Sequence, residues 1–582
     1  MLDATAPFVL LDDARAGGAA RLYRRPVEIV EARKPAEVHP ALARLREAIG
    51  QGLHCAGFIS YEAGHMLEAK LAPLCRVPSG REPPLLWFGL FDRAEEVEVR
   101  ELLPDAASAW ASAPRPAIDR SAYEAAVERV KAHIEAGDIY QANFTFAAEV
   151  ETAGPPLGLY ARLRARARAG HGGIVSTGEH WLLSFSPELF FTLKGGRLTT
   201  RPMKGTAERR GDDAKAVEAL RSDPKQRAEN LMIVDLLRND LSRVSRPGTV
   251  KVPSLFAIET YPTVHQMTST IVSELEEGRD VVDVLEAIFP CGSITGAPKI
   301  RAIEIIRELE QGPRGAYTGS IGAIAPTGDA SFNVAIRTLT LKAGEGRAVM
   351  GLGSGIVADS RAGDEWRECL AKGAFVSDPD RSFDLIETMR FDPHEGVIDI
   401  ERHLARMKRS AEMLGFTFDR HGARNELQAA TFRLREPKKL RLLLSATGAV
   451  SIEVRALPKP PASPVQVALA PLPVSPEDFR LRHKTSDRPF YDEAREDSGA
   501  FEMLFHDEAG FLTEGSFTNI FVERQGRLVT PPLSRCLLPG ILRERMIESG
   551  EAVEQDLVAA DLLGGFYIGN ALRGLVPAIL RH

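Results

Sequence analysis

Cysteine is scarce in this sequence, and it has no spacing that binds metal or forms a disulfide framework. The 582 residues include five scattered cysteines and no C-x-x-C motif. Neither a zinc site nor a set of disulfides is therefore indicated. Because free cysteines suit a reducing compartment, we predict a cytoplasmic protein.

Long apolar runs and an excess of basic residues are also missing. No apolar stretch approaches the roughly 18 residues of a membrane-crossing helix. The first residues include acids, Asp3 and Asp12, where a signal peptide needs a basic region. The formal charge is −7 at pH 7. We therefore expect neither a membrane nor nucleic acid as a partner.

The composition is that of a folded protein, with 44% hydrophobic and 26% charged residues. The clearest seam is the polar, proline-containing stretch FVSDPDRSF at 375–383. We predict one domain over 1–376, a linker over 377–382 and a second domain over 383–582. Strand-like and helical stretches occur on both sides of the seam, so both halves are predicted to be mixed α+β.

A loop rich in Gly, Ser and Thr, GSITGAPKIRAIEII at 292–306, leads into a predicted helix through Pro298. Such a loop directs backbone N–H groups and a positive helix end toward an anion. An ordinary capped helix is the structural alternative, and the loop alone does not decide between them.

Carboxylates on two predicted helices could share one metal ion. In DEWRECLAKG, Glu365, Glu368 and Lys372 are spaced to lie on one helix face, for which a solvated Glu–Lys face is the ordinary explanation. Glu229 begins a second predicted helix, AENLMIVDLLRNDL. Because one or two carboxylates, waters and substrate oxygens normally hold Mg²⁺, Glu229 and Glu368 are candidate ligands.

A lysine stands between Pro202 and Gly205 in RPMKGT. Lys204 follows Glu188 by sixteen residues, and the intervening FFTLKGGRLTTRP predicts a β-hairpin. A hairpin could return both side chains to one site. A solvated loop charge is the alternative for Lys204.

Seven stretches of the first half occur in an order that resembles the chorismate-utilising enzymes. This family includes anthranilate synthase component I, aminodeoxychorismate synthase component I, isochorismate synthase and salicylate synthase. The stretches are SPELFF, RPMKGT, AENLMIVDLLRNDL, GSITGAPKIRAIEII, YTGSIG, FNVAIRT and GSGIVADSRAGDEWRECLAKG. The resemblance covers roughly residues 50–376. It implies an α/β sandwich like that of anthranilate synthase component I, with chorismate as substrate and Mg²⁺ as cofactor.

The resemblance also implies site residues, carried over position by position. The implied metal ligands are Glu229 and Glu368, with Glu365 close by. The implied substrate-binding residues are Tyr317, Arg337 and Lys372 at the chorismate carboxylates, together with Gly205, Thr206, His265, Ser293, Thr295 and Gly353.

Lys204 separates two branches of this family. Anthranilate synthases resemble this chain in the loop but have alanine there, whereas the aminodeoxychorismate branch has lysine. In that branch the amine is proposed to attack C2 of chorismate while Glu188, as general acid, protonates the departing 4-hydroxyl; ammonia then enters at C4. The amine must be neutral to attack, although the reference pKa of lysine is about 10.4. A desolvated site or a nearby cation would lower that pKa.

Two further positions bear on the nucleophile. Asn230 stands where many members have His after the metal-binding Glu, which disfavours anthranilate synthase. Gln141 stands where the isochorismate and salicylate branches have a lysine that activates water, which disfavours water addition.

No cysteine lies on the G-x-C-x-G elbow of a class I glutamine amidotransferase. Ammonia is therefore expected from a separate glutaminase subunit or from solution.

The second half carries another ordered set of motifs: FDLIETMRF, ERHLARMKRSAEMLGF, RLRHKTSDRPFY, LTEGSFTNIFV, LLPGILRERMIE and IGNALRGLVPA. They resemble the fold-type IV pyridoxal-phosphate enzymes, which include D-amino-acid and branched-chain aminotransferases and aminodeoxychorismate lyase. The resemblance implies that pyridoxal phosphate is bound through Lys484, with Glu514 on its ring nitrogen. The implied phosphate-binding groups are the side chains of Arg406 and Asn570 and the backbone N–H groups of Ile541 and Leu542. Aminotransferases usually have Thr in place of Asn570, so this position favours the lyase.

Together the halves predict a bifunctional enzyme. Chorismate and ammonia would give 4-amino-4-deoxychorismate, and loss of pyruvate would then give 4-aminobenzoate, a folate precursor. Lys484 would remove the C4 proton, and Thr388 is a candidate proton donor to the departing enol. One alternative is an anthranilate synthase-like enzyme fused to an amino-acid aminotransferase. Another is a regulatory chorismate-binding protein, although binding alone needs no lysine nucleophiles. Fold-type IV relatives are commonly dimers, so a homodimer through the second domain is a candidate assembly.

Overall fold

The chain divides into two compact units. The computed structural model describes residues 2, 6–80, 82–209, 213–260, 264–377 and 383–581. All of the predicted linker except Ser377 lies outside these residues. Two short segments from the first half of the sequence, 104–112 and 151–159, belong to the second unit. The first unit comprises Met1–Leu103, Ala113–Val150 and Tyr160–Ser377, and the second comprises Pro104–Ser112, Glu151–Leu159 and Asp378–His582.

Up to residue 377, strands and helices alternate, as the sequence predicts. The strands are β1 (Phe8–Asp12), β2 (Ala20–Arg24), β3 (Glu28–Ala32), β4 (His54–Ile59), β5 (Leu86–Phe91), β6 (Glu95–Glu96), β7 (Trp110–Ala111), β8 (Arg115–Pro116), β9 (Gln141–Ala153), β10 (Gly172–Ser176), β11 (His180–Ser184), β12 (Leu189–Lys194), β13 (Arg197–Arg201), β14 (Met203–Glu208), β15 (Lys251–Thr260), β16 (Val264–Glu274), β17 (Gly296–Ala297), β18 (Ser320–Ile324), β19 (Ala330–Asn333), β20 (Thr338–Lys342) and β21 (Arg347–Ile356). The helices are α1 (Val38–Gly50), α2 (Ala63–Met66), α3 (Val99–Leu102), α4 (Arg120–Glu135), α5 (Pro156–Ala167), α6 (Asp213–Ser222), α7 (Pro224–Ser242), α8 (Val281–Ile288), α9 (Lys299–Leu309) and α10 (Ala362–Gly373).

The first unit is a sandwich of two sheets. One sheet has the strand order β17-β9-β21-β20-β11-β10-β1-β2-β6, and the other has the order β14-β16-β13-β12-β19-β18-β4-β5-β3. A buried layer between them joins residues such as Val9 and Leu182 of the first sheet to Phe58 and Trp87 of the second. Helices α1, α7 and α8 bury their apolar faces against the second sheet, through residues that include Leu45, Val234 and Leu285. The predicted hairpin is confirmed, because β12 and β13 pair antiparallel.

Local capping explains where the helix that carries Glu229 begins. The prediction that Glu229 starts the helix is wrong, because α7 begins at Pro224. The Asp223 side chain accepts hydrogen bonds from the backbone N–H groups of Lys225 and Gln226, and proline suits the first turn because it needs no donor there. Glu229 therefore lies in the second turn of α7, which packs against β14 and β16.

The second unit contains two further sheets. Its strands are β22 (Leu385–Asp392), β23 (Gly396–Val397), β24 (Lys438–Leu444), β25 (Val450–Ala456), β26 (Val465–Pro471), β27 (Glu502–His506), β28 (Leu512–Gly515), β29 (Asn519–Arg524), β30 (Arg527–Thr530), β31 (Ala552–Glu554), β32 (Phe566–Asn570) and β33 (Gly574–Leu580), and its helices are α11 (Ile400–Met413), α12 (Arg420–Thr431), α13 (Phe479–Arg482), α14 (Pro489–Ser498) and α15 (Ile541–Glu548). The sheet orders are β23-β22-β24-β25 and β28-β27-β26-β33-β32-β29-β30-β31. Helix α11 packs on the smaller sheet, where Leu404 and Met407 join Leu440 and Leu442 in one core. Within the described residues, no helix is both long and apolar enough to cross a membrane.

Candidate active sites

Three alternate glycines give β21 a bare face in the first unit. A Cβ added to Gly351 would fall 2.0 Å from the Tyr317 ring, and one added to Gly355 would fall 2.9 Å from Nζ of Lys204. At Gly353, between them, a Cβ would fall 2.6 Å from a backbone oxygen of β9. Real Cβ atoms essentially never approach so closely, so glycine is needed for Tyr317 and Lys204 to lie over this strand.

Lys204 stands between this face and helix α7. Its Nζ lies 3.3 Å from Oε2 of Glu229, and the two side chains are only 24% and 15% exposed. Nδ2 of Asn230 donates to the carbonyl of Lys204 at 3.3 Å, and Oδ1 of Asn230 accepts from the Ser269 hydroxyl at 2.6 Å. Asn230 is fully buried. Asn230 therefore links β14, the strand that carries Lys204, to helix α7.

Gln141 and Glu188 complete the polar surroundings of Lys204. Gln141 is buried, its Nε2 would lie 3.1 Å from a Cβ on Gly355, and its Oε1 has no hydrogen-bond partner among the described residues. Glu188 immediately precedes β12 and is buried, with Oε1 equally unpartnered there. Loss of solvation raises the pKa of Glu188 to about 7, although a hydrogen bond with Ser293 and the charge of Lys204 oppose the rise.

Helix α10 brings the remaining predicted charges to the same place. Nζ of Lys372 lies 2.8 Å from Oε1 of Glu368 and donates to the Gly353 carbonyl at 3.0 Å. Desolvation would raise the pKa of Glu368, but the positive charges of Lys372 and Lys204 hold it below its ordinary value. Glu365 accepts a hydrogen bond from the Ser360 hydroxyl at 2.8 Å. Among the described residues, no group of three or more His, Cys, Asp or Glu side chains could hold a metal ion.

The other predicted substrate-binding residues differ in the hydrogen bonds that they make within the protein. His265 is buried, with Nδ1 at 3.0 Å from the Thr260 hydroxyl and Nε2 at 3.3 Å from Asp213. The Thr295 hydroxyl donates to the carbonyls of its own loop, at 3.2 Å each. Arg337 is half-buried, and its carbonyl accepts from the N–H of Phe185. Gly205 and Thr206 lie on β14; the Thr206 side chain is outside the described part of the chain.

The second unit has a cavity of about 390 Å³ that brings together six of the predicted residues: Thr388, Arg406, Lys484, Glu514, Ile541 and Asn570. Leu542 is the exception, because its side chain packs in the core with Phe521 and Met546. Only the backbone N–H of Leu542, in the first turn of α15, could then serve an anion. Gly540 precedes that helix, and a Cβ there would fall 1.8 Å from Oδ1 of Asn519.

Burial changes the pKa values of both Lys484 and Glu514. Loss of solvation, together with the charge of Arg406, lowers the pKa of Lys484 to about 7. Glu514 is buried, and its Oε1 accepts from the Tyr491 hydroxyl at 2.7 Å and from Arg488 at 3.3 Å. Burial raises the pKa of Glu514 above its ordinary value.

Two of the predicted phosphate-binding side chains already have protein partners. The guanidinium of Arg406 donates to both oxygens of Glu387, at 2.8 and 2.7 Å, and to the Pro539 carbonyl at 2.8 Å. Asn570 donates to the Phe517 carbonyl, and its Oδ1 accepts from two backbone N–H groups of the turn that follows. A phosphate would therefore meet the remaining N–H groups of Arg406 and the start of α15.

Comparison with known families assigns both units. A model of the chorismate binding enzyme family matches residues 7–378, and a model of the class IV amino-transferase family matches residues 384–579. The chain belongs to the chorismate-binding enzyme family. Its second part adds a class IV aminotransferase domain. The predicted fusion of two enzyme families and the predicted α+β fold class are therefore confirmed.

Individual relatives agree with this assignment. The chain is 37% identical over 359 residues to aminodeoxychorismate synthase component 1 of Klebsiella aerogenes, a match that covers 57% of this chain and 77% of that one. It is 42% identical over 268 residues to the protein of the same name from Salmonella typhimurium strain LT2, covering 46% of this chain but only 58% of the relative. Anthranilate synthase component I from Streptococcus pneumoniae has a similar structure, with a TM-score of 0.53 and 26% identity over 65% of this chain and 94% of that one. The prediction that the chain is an enzyme of these two families is therefore confirmed, and the likeness to anthranilate synthase supports the shared fold.

Sequence reasoning missed a buried ion pair behind the chorismate-binding enzyme site. Nη2 of Arg314 lies 2.7 Å from Oε1 of Glu310, and the side chains are 2% and 7% exposed. Arg314 also donates to the carbonyls of Ile294 and Asn143, at 2.9 and 2.6 Å. Glu310 accepts from the backbone and hydroxyl of Thr145. The pair thus joins β9 to the glycine-rich loop. The sequence signal available for this pair was the i, i+4 spacing of Glu310 and Arg314, with Gly312 between them.

Two buried glutamates of the class IV domain were also missed. Glu387 accepts from Arg406 and from Nδ1 of His403 at 2.6 Å; despite burial, these two partners lower its pKa to about 2. Glu502 accepts hydrogen bonds from three backbone N–H groups and from the hydroxyls of Ser516 and Thr518. Those hydroxyls belong to the loop that follows Glu514. The sequence carries no common signal for them, because β22 also holds Thr388, Arg390 and Asp392, and Glu502 is the first residue of β27.

Proposed function

We propose that the chain makes 4-aminobenzoate from chorismate and ammonia, with 4-amino-4-deoxychorismate as the intermediate. The observation that carries the proposal is the position of Lys204. Its amine lies over the bare face of β21, beside the tyrosine and glycines implied to bind chorismate. A half-buried lysine that lies 3.3 Å from the Glu229 carboxylate suits a nucleophile.

In the first step the Lys204 amine attacks C2 of chorismate, the C1=C2 and C5=C6 double bonds shift to C1=C6 and C4=C5, and the C4–O bond breaks. Glu188 supplies the proton that leaves with the 4-hydroxyl as water. A pKa of about 7 supports this role, because the acid is then still protonated near neutral pH. Ammonia next forms a bond to C4 while the double bonds return to their first positions, and the C2–N bond breaks, which frees the lysine as a neutral amine. The incoming nitrogen then loses a proton, which returns to Glu188.

Mg²⁺ is proposed for this site, held by Glu229 and Glu368 with waters and substrate oxygens. The donor set fits, because two carboxylates with oxygen ligands from outside the protein are normal for this ion. Glu229 and Glu368 both interact with the charge of Lys204. When bound, the ion would neutralise carboxylate charge on the protein and on the substrate. Glu365, hydrogen-bonded to Ser360, would be an outer partner.

The class IV domain is proposed to release pyruvate and to aromatise the ring. Its cavity fits pyridoxal phosphate: Lys484 faces it, Glu514 is available to the ring nitrogen, and Arg406 and the start of α15 are available to the phosphate. The cofactor, when bound, supplies an electron sink. With a pKa of about 7, Lys484 is partly neutral at physiological pH and can accept the C4 proton of the substrate. Thr388 would protonate the methylene carbon of the departing enol.

The proposed partners follow from the chemistry. Ammonia would come from a separate glutaminase subunit or from solution, since no cysteine lies on the elbow of a glutamine amidotransferase. The five cysteines are free, which supports a reducing, cytoplasmic location. A place in folate synthesis follows from 4-aminobenzoate as product, and a homodimer through the second domain remains a prediction.

One incubation tests the proposal. The full chain is given chorismate, Mg²⁺, ammonium at high pH and pyridoxal phosphate, and the products are separated by chromatography. We expect 4-aminobenzoate and pyruvate in equal amounts. Anthranilate as the product would overturn the first half of the proposal, and accumulation of 4-amino-4-deoxychorismate despite added cofactor would overturn the second.

A further inference from the structure

The cavity of the second unit is strongly cationic. Seven basic side chains line it, namely Arg406, Lys439, Arg441, Lys484, Arg488, Arg495 and Arg573, against the single carboxylate of Glu514. Four of the seven are accounted for. Arg406 is paired with Glu387, Arg488 with Glu514 and Arg495 with Asp492, and the fourth, Lys484, is the proposed cofactor lysine.

The other three basic residues, Lys439, Arg441 and Arg573, form no ion pair within the described ranges, although Glu453 of β25 lies directly opposite Arg441 and its charge acts on Lys439. Arg573 only approaches the Lys459 carbonyl, at 3.5 Å, and the ring of Phe501. Each is half-buried. Like charges that share a partly desolvated wall repel one another, so the arrangement is costly unless an anion binds to it.

Strand register explains why two of these residues face the cavity. Along β24 the leucines at 440, 442 and 444 point into the core, so Lys439 and Arg441 point to the opposite face. Arg441 lies directly opposite Thr388 of β22, and cross-strand partners have neighbouring side chains. Arg573 reaches the cavity from the turn between β32 and β33. Desolvation and the charges of Arg441 and Arg573 lower the pKa of Lys439.

We propose that Lys439, Arg441 and Arg573 form a carboxylate-binding wall that selects an amine with two carboxylates as the substrate of the second unit. An ordinary amino acid brings one carboxylate and would leave this wall only partly neutralised. A ring amine with a second, enol-ether carboxylate would neutralise it. Arg441, beside Thr388, takes the carboxylate of the departing three-carbon fragment, and Lys439 and Arg573 take the ring carboxylate. The identity of this dianion rests on the proposed function. The assignment of Lys439, Arg441 and Arg573 as carboxylate-binding residues does not.

Binding of unreactive ligands tests the wall without turnover. The cofactor-loaded full chain is titrated with 5-aminoisophthalate, a ring amine with two carboxylates, and with 3-aminobenzoate, which has one. Because a charge-assisted hydrogen bond commonly changes affinity by about 10-fold or more, we expect the dicarboxylate to bind at least about 10-fold more tightly. The preference should vanish in the Lys439→Gln/Arg441→Gln variant. Equal affinities for the two ligands in the unmodified chain would overturn the proposal.

Kinetics with purified 4-amino-4-deoxychorismate supply the second test. Arg441→Gln should raise KM about 10- to 100-fold, change kcat much less and leave the affinity for pyridoxal phosphate unchanged; Arg441→Lys should restore part of the loss. Arg424→Gln is the matched control, because Arg424 is exposed, paired with Glu401 and outside the cavity. Loss of cofactor affinity in Arg441→Gln would assign the residue to the phosphate and overturn the wall. A dicarboxylate preference without any 4-aminobenzoate formation would leave the wall standing and refute the lyase.

Discussion

Nζ of Lys204 lies 3.3 Å from Oε2 of Glu229, between the glycines of β21 and helix α7. This contact joins the proposed nucleophile to a proposed Mg²⁺ ligand. A metal ion held by Glu229 would compete with the Lys204 amine for this carboxylate. The two proposed roles are therefore linked through one contact.

Replacing the proposed nucleophile tests the covalent role. Lys204→Ala should reduce formation of 4-amino-4-deoxychorismate by several orders of magnitude, because Lys372, whose amine also lies near β21, is bonded to Glu368 and to the Gly353 carbonyl. Anthranilate formation by this variant would show that the residue decides where nitrogen enters. Lys251→Ala is the control, since Lys251 is exposed on β15. Unchanged product formation by Lys204→Ala, measured chromatographically, would remove the covalent role.

Glu188 should control the pH dependence of the first step. The acid must be protonated to act, so the rate should fall as pH rises through about 7. Glu188→Gln should lower the rate about 100- to 10,000-fold, the usual contribution of general acid catalysis, and abolish this pH dependence. Rates of chorismate consumption between pH 6 and 9 would check it; an unchanged profile in the variant would contradict the role.

The same group should affect stability in a defined direction. The folded protein keeps the Glu188 proton to about pH 7, whereas the unfolded chain loses it near pH 4.5. Between these values the folded state binds more protons, so its free energy of unfolding falls as pH rises. Urea unfolding of wild type and Glu188→Gln at pH 5 and pH 8 should show the variant gaining relative stability at pH 8.

Lys484→Ala should separate the two activities. The variant should lose the visible absorbance of a lysine-bound pyridoxal phosphate and should accumulate 4-amino-4-deoxychorismate, because nothing then accepts the C4 proton. Lys459→Ala is the control, an exposed lysine of the same unit. Normal 4-aminobenzoate formation by Lys484→Ala would refute the lyase assignment.

The buried pair of Arg314 and Glu310 should be costly to break from one side. Arg314→Met leaves Glu310 charged in the interior, and such changes typically destabilise a protein by about 3–5 kcal/mol. Arg314→Met/Glu310→Leu should recover much of that loss, since no isolated charge remains. Denaturant unfolding measures both. Additive effects of the two single changes would show that the residues act independently.

Glu502 should organise the loop that follows Glu514. The Glu502 carboxylate accepts hydrogen bonds from five donors. In Glu502→Gln the new amide N–H groups would face some of these donors, so the free energy of unfolding should fall by about 1–3 kcal/mol. Gly515→Ala should act similarly, because its Cβ would fall 2.8 Å from the Glu502 carboxylate. Gly564→Ala is the control, because a Cβ there meets no other atom. Unfolding and cofactor titration check both. An unchanged cofactor affinity in Glu502→Gln would limit the residue to a structural role.

The sequence by itself determined the family and the candidate chemistry. Motif order predicted two joined enzyme domains, and short-range patterns predicted the hairpin between Glu188 and Lys204. These features are local, because turn residues and strand alternation act over a few positions. Likewise Lys204 and Lys484 could be selected as nucleophiles from their motifs alone.

Only the tertiary structure decided which groups are desolvated and what they contact. The Arg314–Glu310 clamp, the Glu387–Arg406 pair and the unpaired wall of Lys439 and Arg441 depend on strands distant in sequence becoming neighbours. The start of α7 depended on an aspartate cap six residues before the predicted first residue. Segments 104–112 and 151–159 join the second unit although they precede the seam. Burial sets the strength of charge interactions, and a linear pattern does not contain it.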